Sequence, residues 1–207
     1  MPSFPKEGSM NELPQNEMDA KWYDQAYALQ EAHHYRGHYS GAPFKDMWEY
    51  LCKDLKPENK ILDIGCGTGQ LGQLGHLLAD KGIRNYTGFD FSSFAIETAR
   101  KLSPGINFEV GDALTTPLLE SDYDTIVSSE FIEHLNEDLK ALERIKPGTM
   151  CHISTSNLAC ENHVRWFETA DQIKERYSYL FEEMEVEKFV YPTEFIWISW
   201  IIRGVKK

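Results

Sequence analysis

The sequence predicts a single α/β domain built on a seven-stranded, mostly parallel sheet. From residue 60 onward, apolar segments of strand length alternate with segments of helical periodicity, which is typical of right-handed βαβ units with helices on both faces. The 207 residues suffice for one such domain and are too few for two. The last apolar segment, "FIWISWII", is apolar at odd and even positions alike. Burial of both faces places the final strand inside the sheet, and its helix-free connection to the strand before it predicts that these two strands pair antiparallel.

The strands and helices are predicted in order along the chain. The expected strands are "KILDIG", "NYTGFD", "INFEVGD", "YDTIVSS", "TMCHISTS" and two final strands around a turn at Pro192-Thr193. Caps and helical spacing predict helices over a leucine stripe (Leu71, Leu74, Leu77, Leu78), "SSFAIETARKL" with a serine cap, "NEDLKALERIKPG" with an asparagine cap, and "TADQIKERYSYLF". The charged run "FEEMEVEK" is expected to be a solvated surface.

The residues before the first strand divide into two parts. Residues 1–16 are rich in Pro, Asn, Glu and Ser and have little to bury, so we expect them to be flexible. Residues 17–57 are aromatic-rich, and one amphipathic helix is marked by Phe44, Met47, Trp48, Leu51 and Leu55. The expected organisation is one domain over 1–207, with a helical lid at 17–57 and a Rossmann-like core at 58–207.

Charge and composition limit the class of partner. The formal net charge is −12 and there is no run of Lys and Arg, so the chain would repel a phosphate backbone. A small-molecule partner is expected in preference to nucleic acid. The four cysteines form no C-x-x-C pair, no secretion signal is evident, and the longest apolar run is too short to cross a bilayer. We expect a cytoplasmic protein without membrane insertion, and its oligomeric state stays open.

A glycine-rich loop follows the first predicted strand. "ILDIGCGTGQLG" places Gly65, Gly67, Gly69 and Gly72 where a strand turns into a helix. Glycines at such a turn allow a ligand to approach the backbone and the helix N-terminus closely. The spacing also satisfies the dinucleotide fingerprint, and Asp90 stands at the distance expected of a ribose-binding acid.

Asp63 argues against a dinucleotide, because it lies on the strand directly before these glycines. Two negative charges about 4 Å apart repel by about 4 kcal/mol at an effective dielectric of about 20. A ligand with a cationic amino-acid end would instead be attracted. S-adenosylmethionine (SAM) carries an ammonium and a sulfonium and no phosphate, so the loop favours SAM over NAD.

The residues around this loop resemble a known family. "LDIGCGTG" is similar to motif I of the class I SAM-dependent methyltransferases, and later motifs follow in register over residues 58–207. The resemblance implies that Asp90 holds both ribose hydroxyls and that Asp112, with the next backbone amide, recognises the adenine. Their positions after successive strands are where α/β sheets bind ligands. The implied cofactor-binding residues are Asp63, Gly65, Cys66, Gly67, Gly69, Asp90, Phe91, Asp112, Ala113 and Ser129.

Two glutamates and a histidine follow the fourth strand, in "SSEFIEHL". Glu130, Glu133 and His134 stand at i, i+3 and i+4, so a helical turn would bring them to one face beside the SAM methyl group. They could stabilise the helix without chemistry, act as a general base, or bind a divalent metal. All three alternatives stay open from the sequence.

The segment also resembles two branches of the family, the ubiquinone-biosynthesis O-methyltransferases and the RNA 3′-terminal 2′-O-methyltransferases. In the RNA enzymes, this segment and a downstream histidine bind a divalent metal. The similar segment "STSNLACENHVRWFE" supplies His163, although its spacing is looser and Ser156 replaces the usual proline. The resemblance implies Mg²⁺, Mn²⁺ or Zn²⁺ at Glu130, Glu133, His134 and His163.

Other candidates concern the methyl acceptor. Tyr23 and Tyr27, in the predicted lid, are expected to line the acceptor site together with His163 and Arg165. His33, His34 and His38 are interpreted as solvated loop histidines. The predicted function is methyl transfer from SAM to an oxygen, less preferably a nitrogen, of a small molecule. RNA methylation and non-catalytic binding of SAM or a nucleotide are the alternatives.

Overall fold

The fold was analysed in a computed structural model that describes residues 16–29, 39–69, 78, 81–193 and 196–207. Seven strands form one sheet in the order β3-β2-β1-β4-β5-β7-β6. The strands are β1 (Lys60–Ile64), β2 (Asn85–Asp90), β3 (Asn107–Val110), β4 (Thr125–Ser128), β5 (Met150–Ser156), β6 (Phe181–Val190) and β7 (Ile198–Lys206). The order reverses direction between β1 and β4, which is the point where open α/β sheets bind their ligands.

The last strand runs against its neighbours, as predicted. β7 pairs antiparallel with β5 on one side and with β6 on the other, whereas β1 to β5 pair in parallel. Ile201 and Ile202 point to opposite faces of β7 and both are buried. Burial on both faces explains the unbroken apolar run of this strand, and the predicted fold is confirmed.

Five α-helices are described. They are α1 (Ala20–Ala28), α2 (Lys45–Leu51), α3 (Ser93–Leu102), α4 (Asp138–Glu143) and α5 (Ala170–Tyr177). The serine cap of α3 is confirmed, since Ser92 Oγ accepts a hydrogen bond from Ala95 N. α5 begins with a capping box between Thr169 and Gln172.

Helices cover both faces of the sheet. On one face, Met47 and Leu51 of α2 pack with Ile96 of α3 in a buried apolar cluster. On the other face, Leu142 of α4 and Ile173 of α5 pack in a second cluster. Successive strand residues alternate between the two clusters because side chains of a strand point to opposite faces. Each face of the sheet therefore has its own core.

Several local predictions were wrong or fall outside the described residues. α4 begins at Asp138 with Glu137 at its N-cap, so Asn136 is not the cap. The run "FEEMEVEK" is solvated, as expected: it lies in the edge strand β6, whose glutamates are mostly exposed and whose pairing has a bulge between Glu182 and Glu185. Other predictions concern residues outside the described ranges: residues 1–15, Leu71, Gly72, Leu74, Leu77, His33, His34 and His38.

Among the helices within the described ranges, none has the length and apolarity needed to cross a membrane.

Candidate active site

The glycine loop lies at the carboxyl end of β1, in the backbone conformation that glycine favours. Gly65, Gly67 and Gly69 have φ values of +69°, +53° and +77°. A Cβ at Gly69 would lie 2.8 Å from the side chains of both Ala99 and Phe108, so this glycine also allows α3 and β3 to pack closely against the loop. The loop therefore requires glycine for its shape and for its packing.

Asp90 ends β2 beside this loop and is almost fully buried. Its carboxylate accepts hydrogen bonds from Gly67 N at 3.0 Å and from Ser92 N at 2.9 Å. Burial nevertheless raises the pKa of Asp90 to about 6. The carboxylate is thus held at the loop by two backbone amides, at the position where the resemblance implies a ribose.

Asp63 lies on β1 directly before the loop and is fully buried. Its Oδ2 accepts a hydrogen bond from Tyr86 Oη at 2.6 Å, whereas its Oδ1 has no hydrogen-bond partner among the described residues. Burial raises the pKa of Asp63 to about 8. Asp63 is therefore mostly neutral at pH 7 in the free protein, in contrast to the charged group expected from the sequence, and a cationic ligand would favour its ionised form.

The remaining implied cofactor residues lie around these two acids. Asp112 is exposed, its Oδ1 accepts a hydrogen bond from Leu114 N at 2.7 Å, and Ala113 beside it is buried. Cys66 is buried in the loop, and burial raises the pKa of its thiol, which fits packing and not nucleophilic chemistry. Ser129 accepts a hydrogen bond from Trp48 Nε1 at 2.9 Å.

Helix α1 lies across the site. Asp24 accepts hydrogen bonds from Ser92 Oγ at 2.5 Å and from Phe94 N at 3.2 Å, which joins α1 to the first turn of α3. Tyr23 contacts the Phe91 ring, with the centroids 5.3 Å apart. The hydroxyl of Tyr27 lies 3.1 Å from the position of a Cβ on Gly67. Both predicted lid tyrosines therefore lie against the glycine loop and its surroundings.

The two glutamates after β4 do not share one face, because the backbone is not helical at Glu130. Glu130 has a φ of +49°, and a short 3₁₀ turn begins only at Ile132. Its Oε1 accepts a hydrogen bond from Ser199 Oγ of β7 at 2.9 Å. Glu133 is fully buried, and its carboxylate accepts hydrogen bonds from Thr155 Oγ1 and Ser156 N of β5.

Glu133, His134 and His163 form a compact cluster. One potential ligand atom from each lies within 4.8 Å of the other two, and the two imidazole rings are 4.7 Å apart between centroids. Glu130 does not belong to this cluster, so the predicted four-residue metal set is wrong in that member. The left-handed backbone at Glu130 turns its side chain toward β7 and away from the two histidines.

Backbone carbonyls fix the tautomers of both histidines. His134 Nδ1 lies 2.8 Å from Asn162 O, and His163 Nδ1 lies 2.8 Å from Leu158 O. A carbonyl oxygen only accepts, so each Nδ1 carries the proton and each Nε2 keeps a lone pair. Burial lowers the pKa of His134, and it lowers that of His163 to about 3, so both rings are neutral.

Burial acts on Glu133 in the opposite sense. It raises the pKa of Glu133 well above the usual range, and the nearby Glu130 carboxylate raises it further. The cluster thus offers two neutral imidazoles and one carboxyl group in a largely desolvated position. Such a set can accept a proton or hold a divalent cation.

Arg165 was predicted to contact the acceptor, and the structure gives it a different environment. Its guanidinium donates hydrogen bonds to the carbonyl oxygens of Ile132, Leu135 and Asn136. It also lies 3.4 Å from the buried carboxylate of Asp138. Arg165 therefore holds the turn that carries Glu133 and His134, and its charge is already compensated.

Sequence reasoning missed several residues of the site. Asn162 and Ser199 each bond a predicted site residue, and Asp24 bonds Ser92 and Phe94 beside the predicted Phe91. Of the three, only Ser199 had a signal in the sequence. It is the single polar residue in the apolar run "FIWISWII". Asp24 and Asn162 lie in segments of mixed polarity, where one more polar residue carries no information about its partner.

Comparisons with known proteins agree with this geometry. A family model described as "Methyltransferase domain" matches residues 61–147. The chain is 37% identical to phosphoethanolamine N-methyltransferase 1 of Arabidopsis thaliana over 110 residues, which are 49% of this chain and 22% of that relative. It is 30% identical to demethylmenaquinone methyltransferase of Renibacterium salmoninarum over 108 residues, which are 49% of this chain and 44% of that relative.

A solved structure extends the likeness of the fold. The [4+2]-cyclase SpnF superposes with a TM-score of 0.70 at 15% identity, covering 94% of this chain and 97% of the cyclase. At that identity the likeness concerns the fold alone. The matched regions span less than half the length of the two curated relatives. Together with the glycine loop and its two buried acids, these matches make residues 61–147 similar to the SAM-dependent methyltransferases.

Proposed function

We propose that the chain transfers the methyl group of SAM to an oxygen or nitrogen of a small molecule. The observation that carries this proposal is the pair of buried carboxylates, Asp63 and Asp90, on either side of the glycine loop. The unpartnered Oδ1 of Asp63 would accept a hydrogen bond from the ammonium of SAM. Asp90 would exchange its bonds to the backbone amides for bonds to the ribose hydroxyls.

Desolvation around the two acids also supports SAM over a dinucleotide. An ammonium beside Asp63 would favour ionisation of its carboxyl group and form an ion pair with it. A diphosphate at the same position would have no positively charged group to bind. Asp112 and Ala113 would contact the adenine, with the Asp112 carboxylate accepting from the exocyclic amine. Helix α1 would act as the lid, since Tyr23, Asp24 and Tyr27 already contact the loop and the start of α3.

Calorimetry with SAM and with S-adenosylhomocysteine tests the cofactor. We expect both ligands to bind. Asp90→Ala should lower the affinity for SAM at least tenfold, because the substitution removes two charge-assisted hydrogen bonds to the ribose. Asp90→Asn keeps the shape of the side chain and guards against misfolding. Asp122→Ala, at the opposite edge of the sheet with an exposed side chain, is the matched control. Binding of NADH with indifference to SAM would overturn the proposal.

Catalysis would consist mainly of aligning the acceptor lone pair with the S–CH₃ bond, which can contribute about 7–11 kcal/mol. The neutral Nε2 of His134 would accept the proton of a hydroxyl acceptor. Turnover on a panel of phenols, carboxylic acids and amines tests this step. Binding of SAM without turnover on the panel or on an RNA 3′ end would favour a binding protein.

Metal-assisted transfer is a second candidate, favoured by the chemistry of the donor set. Glu133, His134 and His163 would hold a divalent ion, since each histidine donates its Nδ1 proton to a carbonyl as metal-binding histidines do. The ion would lower the pKa of an acceptor hydroxyl. Loss of activity in EDTA and its recovery with Mn²⁺ would support this candidate, and indifference to both would exclude it.

An RNA acceptor fits the charge of the chain poorly. A net charge of −12 opposes binding of a phosphate backbone.

The four cysteines are unpaired, which supports a reducing compartment such as the cytoplasm.

A further inference from the structure

A wall of aromatic side chains stands beside Ser129, directly after β4. It is formed by residues of α2 and of the β6–β7 hairpin, here called the aromatic wall: Phe44, Trp48, Tyr191 and Trp197. The rings of Tyr191 and Trp197 stack with their centroids 4.0 Å apart, and Phe44 meets both edge-on. Phe44 and Trp48 lie 5.7 Å apart between centroids. The wall is therefore continuous from α2 to β7.

The polar ends of this wall are directed at Glu130 and its neighbour. Trp48 Nε1 donates to Ser129 Oγ at 2.9 Å. Ser199 Oγ donates to Glu130 Oε1 at 2.9 Å and lies 3.1 Å from the Tyr191 hydroxyl. Because Ser199 has a single proton, Tyr191 must donate to it. A relay of two hydroxyl groups thus ends on the Glu130 carboxylate and favours its ionised form, in opposition to burial, which raises the pKa of Glu130 to about 7.

The backbone holds Glu130 in an unusual conformation. A φ of +49° is uncommon for a residue with a side chain, and strained residues of this kind cluster at functional sites. The amide of Glu130 donates to both the carbonyl and the hydroxyl oxygen of Ser154, which fixes this geometry. As a result the half-buried residue Glu130 places its carboxylate beside Ser199, at the edge of the aromatic wall.

We propose that the methyl acceptor is an amine, bound as its ammonium against Glu130 with the aromatic wall beside it. This inference rests on the proposed function and narrows its substrate class. A carboxylate next to aromatic faces is the combination that recognises ammonium groups, including methylated ones. Burial raises the pKa of Glu130 to about 7, so an ammonium would favour its ionised form, whereas a neutral hydroxyl would not and an anionic acceptor would be repelled by it.

The ammonium releases one proton to solvent, and the nitrogen lone pair then forms a bond to the methyl carbon of SAM. The bond from sulfur to that carbon breaks, and its electron pair stays on sulfur. The products are S-adenosylhomocysteine and a methylated ammonium. The product keeps its positive charge, so a partly methylated amine still fits the site and can be methylated again.

A pair of probes of equal shape tests the charge preference without any mutation. Choline and its neutral carbon isostere, 3,3-dimethyl-1-butanol, are compared as inhibitors and as ligands by calorimetry, with the full chain saturated with S-adenosylhomocysteine. We expect choline to bind at least tenfold more tightly. Equal binding, or tighter binding of the neutral isostere, would overturn the amine proposal.

A variant locates the preference at one residue. Glu130→Gln keeps the size of the side chain and removes its charge, whereas Glu175→Gln removes an exposed charge on α5 and is the matched control. On benzylamine and benzyl alcohol, we expect the wild type to methylate the amine. Glu130→Gln should lower kcat/KM for the amine at least tenfold, with unchanged affinity for SAM, and Glu175→Gln should change neither.

The outcomes separate the two proposals. Failure of S-adenosylhomocysteine to bind would overturn the proposed function itself. Its binding together with preference for the alcohol would overturn only the amine proposal, as would full amine activity in Glu130→Gln. If Glu130→Gln does not fold, the comparison of choline with its isostere on the wild type still decides the question.

Discussion

Two aspartates, Asp138 and Asp63, are both fully buried, and each accepts a 2.6 Å hydrogen bond from a tyrosine. Their other partners differ. Asp138 also accepts two hydrogen bonds from Arg176, at 2.9 and 2.6 Å, and lies near Arg165. Asp63 has only the bond from Tyr86, and its second oxygen has no partner among the described residues.

The difference separates a structural carboxylate from one that awaits a ligand. Around Asp138, two guanidinium groups compensate the buried charge, and the contact joins the start of α4 to the end of α5. Around Asp63, desolvation dominates and raises its pKa to about 8. A buried acid whose second oxygen has no partner is tolerated beside a glycine loop because it can remain protonated. It would ionise when a cationic ligand binds.

The largest effect is expected at Asp138. Asp138→Asn removes the charge that two arginines face, so it should destabilise the fold by about 3 kcal/mol, the low end for a broken buried pair, because Arg176 retains contact with solvent. Urea denaturation measures the change. Glu175→Gln, which removes an exposed charge on the same helix as Arg176, should change stability by less than about 0.5 kcal/mol. Equal losses would contradict the structural role of Asp138.

At Asp63, the expected effect depends on pH. Because its folded pKa is raised, the folded protein binds one more proton than the unfolded chain between about pH 4 and 8. Stability should therefore fall as pH rises through this window, by up to about 1.4 kcal/mol per pH unit from this group. Asp63→Asn removes this contribution, and denaturation of both proteins at pH 5.5 and 8 measures the difference. Parallel pH profiles would mean that Asp63 is ionised in the free protein.

The same group should control SAM binding. Ionisation of Asp63 favours the SAM ammonium, so affinity should rise by up to tenfold per unit between pH 5.5 and 7. The α-amino group of the ligand begins to lose its own proton above this range. Asp63→Asn should bind SAM more weakly at pH 7 and show a flatter profile. Calorimetry in two buffers of different ionisation enthalpy would also detect the proton released on binding.

The sequence pattern sufficed to predict the sheet, because a strand that is buried on both faces has an unbroken run of apolar residues. The apolar run of β7 identified its inner position without any information about its partners. The loop was predicted for a similar reason, since Gly65, Gly67 and Gly69 need positive φ in a short stretch of chain. Features that depend on local backbone conformation or on apolar periodicity could therefore be predicted from the sequence.

The finer arrangement of the site could not be predicted from the sequence, because it depends on contacts between segments that are distant along the chain. Helical spacing predicted that Glu130 would share a face with Glu133, but a single left-handed residue breaks that periodicity. Arg165 was interpreted as a ligand contact because nothing in the sequence reveals the three carbonyl oxygens that it binds. The raised pKa of Asp63 likewise follows from burial that the neighbouring residues do not reveal.

The smallest expected effects come from the two tyrosines, which form a matched pair. Tyr86→Phe and Tyr177→Phe each remove a 2.6 Å hydrogen bond to a buried aspartate, at a cost of about 1 kcal/mol in stability. Only Tyr86→Phe should also weaken SAM at pH 7, by about fivefold, because its hydroxyl stabilises the ionised form of Asp63 that the ammonium requires. Asp138 keeps its arginines when Tyr177 is changed, so SAM affinity should not move. If both variants lowered the affinity for SAM equally, the hydrogen bond from Tyr86 to Asp63 would have no specific effect on ligand binding. Asp63 would then be a structural acid like Asp138.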